Sequence, residues 1–241
     1  MKRVFLSGLF VLLIASVSHA GFFDDLTKGV GIPTMQSGAG SLDEGTIVKG
    51  LKEALATGTD RAVKSVSKTD GYNGNQAIRI LMPEKIRNVA DVLSKFGFNK
   101  EVDEFVLSMN RAAEKAAPKA VDYFTSALKD MSFEDAGKIL KGSDTAATEY
   151  FRGKTGEKIF AAFKPIVASS MNEVGTSRSY KELIQKYDNI PFVPTADLDL
   201  DNYVTSKSVD GLFHMLGEEE KKIRTNPAAR ATDLLKKVFG Q

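Results

Sequence analysis

The sequence contains no cysteine and no tryptophan, and only two of its 241 residues are histidines. Without a thiol the chain has no disulfide, no thiolate nucleophile, no iron–sulfur cluster, no covalently attached c-type haem and no cysteine-ligated zinc. His19 lies in a predicted leader, so His214 is the one imidazole expected in the mature protein. We therefore predict no cofactor and no metal as the main reading of this chain.

Long apolar runs are scarce, and the longest lies at the amino terminus, where residues 4–17 follow two basic residues. Ser18 and Ala20 supply the small residues that signal peptidase requires, and the run is shorter than the roughly 18–20 apolar residues that span a bilayer. We predict a signal peptide over residues 1–20, cleavage after Ala20 and a periplasmic or secreted mature protein. No transmembrane segment is predicted in the mature chain.

The predicted mature chain also lacks an excess of basic or acidic residues. The leader holds two of the 33 basic residues and none of the 31 acidic ones, so the mature chain is neutral. A protein that binds nucleic acid needs a basic surface to displace counterions from phosphates. We therefore predict no nucleic-acid partner.

Helical periodicity dominates the remaining sequence, because valine and isoleucine occur singly at helical spacing and never in alternating runs. We predict an all-α, single-domain multi-helix bundle of about nine or ten helices with short connecting loops, occupying residues 41–241. A flexible arm over residues 21–40 precedes it, and Phe22 and Phe23 in this arm predict a homo-oligomer. The helices are predicted to start at Ser41 and Pro83 and to span 99–116, 118–131, 132–141, 144–152, 155–174, 177–187, 201–225 and 227–239.

Local signals define several helix ends. Ser41 with Glu44, and Ser132 with Asp135, have the spacing of capping boxes. Gly97 is predicted to end the helix that starts at Pro83. A proline inside a helix removes a hydrogen bond, so Pro165 predicts a kink or break in the 155–174 segment.

Asp197, Asp199 and Asp201 match the first half of a calcium-binding loop. The second half departs from that motif, since Asn202 replaces the glycine and Ser208 replaces the bidentate glutamate. The alternative is an acidic turn that caps the next helix and complements its dipole. The sequence leaves a calcium site as the minor alternative.

The helix at 201–225 carries Asp210 and His214 opposite its apolar face. One hypothesis is a carboxylate that orients an imidazole for general-base chemistry. The other, which we favour, is a solvated ladder of surface ion pairs, because no serine or threonine nucleophile is placed nearby. Glu219 lies at the edge of the apolar face, so we expect it to be partly buried and paired with Arg224 or Arg230.

The helix at 99–116 carries a second stripe formed by Leu107, Asn110 and Glu114. An apolar residue in this stripe predicts that Asn110 and Glu114 are semi-buried, where a carboxylate is either paired or has its pKa raised. A glutamate with a raised pKa is the general acid of peptidoglycan-cleaving transglycosylases, whereas a Glu–Arg tie is purely structural. The residues predicted to form a buried polar or binding network are Asn110, Glu114, Arg152, Asp210, Glu219, Arg224 and Arg230.

Four stretches are distinctive as motifs, namely Met109–Ala120, Asp144–Arg152, Tyr203–Phe213 and Glu218–Gly240. They resemble a bacterial exported family of unknown function, the domain of unknown function numbered four-one-nine-seven. The resemblance implies an exported, helical, soluble protein, and it carries over no activity, cofactor or catalytic residue.

Two classes of function follow. The first, which we favour, is a non-catalytic binding or scaffold protein of the cell envelope, whose helices enclose a groove for a hydrophobic ligand, a peptide or another envelope component. The second is a hydrolase or lyase that cleaves envelope polymer with Glu114 as general acid. The absence of tryptophan and of a substrate-gripping aromatic cluster counts against the second class.

Overall fold

The structure is a computed structural model that describes residues 44–95, 97–173 and 199–226. Over these ranges the chain is helical and contains no β-strand, which confirms the predicted all-α class. A single 3₁₀ turn, Ala117–Lys119, joins the third and fourth α-helices. The α-helices are α1 (Glu44–Ser67), α2 (Glu84–Lys95), α3 (Asn99–Ala116), α4 (Ala120–Asp130), α5 (Phe133–Lys141), α6 (Ala146–Glu173) and α7 (Leu200–Thr225).

The described ranges hold seven α-helices, so the prediction of nine or ten is not met there. The predicted helices at 177–187 and 227–239 lie outside the described residues. The predicted helices at 144–152 and 155–174 are one continuous helix, α6, and this part of the prediction is wrong. Gly153 costs only about 1 kcal/mol in a helix interior, and buried residues on both sides of it hold one face of α6 against the core.

Pro165 lies inside α6, and of the predicted kink or break the break does not occur, because the helix runs through the proline. The missing N–H of Pro165 leaves the carbonyl of Ala161 without its helical partner. Both residues are exposed, so water can hydrate this carbonyl at little cost. The position of the proline on the solvent side therefore explains why the helix continues.

The ends of several helices follow the predicted local signals. Gly97, just after α2, has a φ of 89°, and the helix ends before it, as predicted. At the start of α5 the Ser132 hydroxyl accepts from the Asp135 N–H, and the Asp135 side chain accepts from the Ser132 N–H, which confirms that capping box. The capping box predicted at Ser41 lies outside the described residues.

The core is built where α6 packs along α7, α7 packs along α1, and α3 packs along α6. Phe124 of α4 contacts Phe151 of α6 edge-to-face with ring centroids 5.2 Å apart, and contacts Phe213 of α7 at 5.8 Å. Edge-to-face pairs of this kind add to the area that the rings bury. This aromatic cluster fixes α6 and α7 relative to each other, and with them the polar side chains on their outer faces.

Candidate functional site

Residues 68–83 join α1 to α2 without forming a helix, and we call them the α1–α2 connection. Tyr72 anchors this connection: its side chain is fully buried and its hydroxyl donates to the Ser208 carbonyl at 2.5 Å. The Tyr72 ring also lies directly over Gly211 of α7, where a Cβ would be only 2.6 Å from Cε1 of the ring. The close approach of the connection to α7 therefore requires a glycine at 211.

Burial raises the pKa of the Tyr72 phenol far above its usual range, and the nearby negative charge of Glu114 raises it further. Above about pH 10 an unfolded chain releases this proton while the folded chain keeps it. Stability then falls as pH rises, by about 1.4 kcal/mol per pH unit from this one group.

We expect Tyr72→Phe to be less stable than the parent at neutral pH by about 1 kcal/mol, the net value of the lost hydrogen bond. Above about pH 10 the gap should close, because the variant lacks the titrating phenol. Urea unfolding at a series of alkaline pH values measures both effects. If the free energies of unfolding of the parent and of Tyr72→Phe keep the same difference as pH rises, this account is wrong.

Glu114 of α3 holds the first half of the connection. Its Oε1 accepts from the backbone N–H groups of Tyr72 and Asn73 at 3.1 and 3.3 Å. Its Oε2 accepts from Arg111 at 2.6 Å, and Arg111 also donates to Asp70 at 2.8 Å. The hydrogen bond from Asn73, with that from Arg111, holds the pKa of Asp70 below its usual range. Glu114 is only 5% exposed, so of the two predicted readings the geometry is that of the Glu–Arg tie.

Asn110 of α3 holds the second half of the connection. Its Oδ1 accepts from the Ile80 N–H, and its Nδ2 donates to the Ile80 carbonyl, both at 2.8 Å. Nδ2 also donates to the Val106 carbonyl at 2.8 Å. The Asn110 side chain is 0% exposed, and it pairs with the backbone of Ile80 much as a neighbouring strand would.

The hydrogen bonds from Asn110 hold the backbone of Ile80 and thereby direct the side chain of the next residue, Leu81, outward. Leu81 is 55% exposed, more than any other large aliphatic side chain among the described residues. Its carbonyl accepts from the hydroxyl of Tyr203, on α7, at 2.9 Å. The connection therefore presents an apolar side chain to solvent from a backbone that is held on both sides.

Leu81 lines a groove of about 800 Å³ between the α1–α2 connection, the start of α2, and helices α6 and α7. This volume is within the range of small-molecule and peptide sites. We call it the α7 groove. Its lining combines apolar side chains, two carboxylates, four cations and an imidazole, namely Ile78, Leu81, Met82, Phe213, then Glu84 and Asp210, then Arg79, Arg87, Arg152 and Lys207, and lastly His214.

The predicted residues Arg152 and Asp210 meet at the edge of this groove. Arg152 donates from Nη1 to Asp210 Oδ1 at 3.0 Å, and its guanidinium stacks over the Phe213 ring at 4.6 Å from the centroid. Asp210 thus contacts Arg152, and the contact that would orient His214 for base chemistry is not made in the structure. Both His214 and Asp210 are exposed, which agrees with the surface reading.

The buried acid at the end of α7 is Glu220, not the predicted Glu219. Glu219 is partly buried, at 13% exposure, and its partner is Lys222 at 2.7 Å. Arg224 instead donates to Glu220, from Nε at 3.0 Å and from Nη2 at 2.8 Å. Arg230 lies outside the described residues.

Glu220 also caps the start of α6. Its two oxygens accept from the backbone N–H groups of Ala147 and Thr148 at 2.9 and 2.8 Å, and from the Thr148 hydroxyl at 2.8 Å. A carboxylate at a helix amino terminus satisfies unpaired N–H groups and the helix dipole. Sequence reasoning missed this residue, although Glu220 follows Leu216 by four residues and so shares the apolar face of α7.

The residues of the predicted calcium site that the structure describes, Asp199 and Asp201, form a helix cap instead. Asp199 accepts from the Asn202 N–H at 3.0 Å, and Asp201 lies in the first turn of α7. Asp197 is outside the described residues. Over the part of the chain that the structure describes, no group of three or more histidine, aspartate or glutamate side chains is placed to hold a metal ion.

Fold and groove together define the class: an all-helical protein whose surface carries an amphipathic groove rich in cations. Residues 41–240 match the family described as "Protein of unknown function (DUF4197)", and the chain belongs to this family. The resemblance seen in the sequence motifs is thereby confirmed. The chain matches no curated protein and no solved structure. Among the described helices, none has the length and apolar character needed to cross a membrane.

Proposed function

We propose that the chain is an exported, non-catalytic binding protein of the cell envelope, and that its ligand occupies the α7 groove. The apolar run at residues 4–17 supports export. The groove supports binding, because it joins exposed apolar surface to charged side chains in one concave site.

The observation that carries the proposal is the exposure of Leu81 from a rigid backbone. An exposed leucine on a mobile loop is ordinary. Here Asn110 fixes the residue before it, and Tyr203 holds its carbonyl. A preorganised apolar contact loses little conformational entropy when a ligand covers it, which is favourable for binding.

Envelope-polymer cleavage with Glu114 as general acid is not supported by this geometry. The carboxylate accepts three hydrogen bonds, two of them from backbone N–H groups and one from Arg111. A general acid must carry a proton that it can pass to substrate, and Glu114 has neither a free oxygen nor a place in the groove lining. We expect Glu114→Gln to leave the action of the protein on purified cell wall unchanged.

Native mass spectrometry of the protein purified from its own envelope tests the proposal. We expect a polypeptide that starts at Gly21 and a co-purifying mass, which Leu81→Asp should remove because it puts an acid in place of the apolar contact. The matched control is Val121→Asp, which makes the same change at an exposed apolar residue of α4 outside the groove. A mass retained in Leu81→Asp, or absent from the parent, would overturn the proposal.

A further inference from the structure

Resting on the proposed function, we infer that the ligand of the α7 groove is an acidic peptide segment bound in an extended conformation. Its acidic side chains would face Arg79 and Lys207, and its apolar side chains would contact Leu81. The inference stands on the charge, the length and the apolar lining of the groove.

The groove has an excess of cations. Its lining holds three arginines and a lysine against two carboxylates. Asp210 accepts a hydrogen bond from Arg152 at 3.0 Å, and Glu84 lies 3.8 Å from Arg87, so each carboxylate has a cation of the groove beside it. Among the residues that the structure describes, no carboxylate pairs with Arg79 or Lys207. The groove therefore favours a negatively charged occupant.

The two cations without a carboxylate partner come from different walls. Arg79 belongs to the α1–α2 connection and Lys207 to α7, and each is exposed. Arg152 also lines the groove, where its guanidinium is paired with Asp210 and lies over the Phe213 ring. Charge spread around the groove suits a ligand that carries several acidic groups rather than one.

The groove is also elongated. It follows α7 from Tyr203 to His214, a rise of about 16 Å at 1.5 Å per residue. An extended peptide advances about 3.3 Å per residue, so about five residues would fill this length. A single lipid headgroup or free phosphate would occupy only one part of it.

The lining offers an extended peptide both charged and apolar contacts. Successive side chains of an extended chain point to opposite sides. Arg79 and Leu81 belong to one wall and Lys207 to another, so acidic side chains on either side of an extended peptide meet a cation, and an apolar side chain that faces the connection contacts Leu81. Recognition by pockets for alternate side chains is an established mode for extended peptides.

Fluorescence anisotropy with a labelled peptide, Gly-Glu-Leu-Glu-Leu-Glu-Gly, tests the inference on the full mature chain. We expect binding that weakens with added salt. We expect the double variant Arg79→Glu/Lys207→Glu to bind at least about tenfold more weakly, because both changes replace an attraction by a repulsion. The matched peptide with glutamine in place of glutamate should bind no better to the parent than to this variant.

The control protein is Lys164→Glu/Lys221→Glu, which makes the same change of charge at two exposed lysines of α6 and α7 outside the groove. It should bind the acidic peptide like the parent. Equal weakening in both double variants would overturn the inference, because it would show attraction to the whole protein rather than to the groove.

Vesicles of phosphatidylglycerol and free inorganic phosphate form the other arms of the experiment. Binding of either through Arg79 and Lys207, without binding of the acidic peptide, would overturn the peptide inference. Absence of any binding in all arms would overturn it as well. In both cases the proposed function is tested separately, by whether a mass co-purifies with the parent and is lost in Leu81→Asp.

Discussion

Glu220→Ala lowers the free energy of unfolding by about 3–5 kcal/mol, the usual cost of removing one member of a buried ion pair. Two effects combine in this loss. Arg224 keeps its charge without the carboxylate, and the N–H groups of Ala147 and Thr148 lose their acceptor at the start of α6. Urea unfolding measures the change as a lower midpoint at an unchanged slope.

The neighbouring variant Glu219→Ala is the matched control. It removes a carboxylate from the same turn of α7, but this one pairs with Lys222 on the helix surface. We expect a loss of about 0.5 kcal/mol, typical of helix-surface pairs. Similar losses at positions 219 and 220 would show that the buried cap does not stabilise the fold as described.

Asn110→Leu lowers the free energy of unfolding by about 2–6 kcal/mol. The leucine is close in size, but it leaves the N–H and carbonyl groups of Ile80 buried without partners, and each unsatisfied group costs about 1–3 kcal/mol. The loss should appear in urea unfolding. Because Ile80 precedes Leu81, we also expect the variant to lose the ligand of the α7 groove.

The control for this prediction is Asn99→Leu, at the exposed start of the same helix, where the amide makes only a 3.4 Å contact with the Ser94 carbonyl. A surface change of this kind is expected to stay within about 0.5 kcal/mol. A loss at Asn110 no larger than that at Asn99 would mean that the connection is not held by this amide.

Helix positions were largely predictable, because a helix repeats its apolar residues along one face and marks its own ends. The predicted span of α3, residues 99–116, is the observed one. The break predicted near Gly153 was wrong because a local signal for a break was weaker than the continuous buried face of α6. Local rules state what a residue prefers, and tertiary packing decides whether that preference is met.

Asn110 and Glu114 were predicted to be semi-buried, and the structure buries them further, at 0% and 5% exposure. That prediction relied on Leu107 as a sign that α3 is covered on a second side, yet Leu107 is 36% exposed. The cover is the α1–α2 connection, which contacts the helix at Asn110, Arg111 and Glu114. Glu220 was missed because Glu219, one residue earlier, was taken as the acid at the apolar face of α7 that pairs with Arg224.

The groove could not be predicted from any local pattern. One of its walls is a non-helical segment whose path is set by contacts distant in sequence: Ile80 lies 30 residues from Asn110, and Tyr72 lies 136 residues from Ser208. Periodicity carries no information on such contacts. Arg79 and Lys207 therefore have no sequence signal that associates them before the structure is known.

The separation between Tyr72 and Ser208 also bears on when the protein becomes competent to bind. Contacts between residues so far apart form late, because a long stretch of chain must be ordered first, whereas single helices form early. We expect the wall that carries Leu81 to assemble among the last parts of the chain. A partly folded molecule would then lack the groove, so that ligand is captured only by molecules that have completed folding.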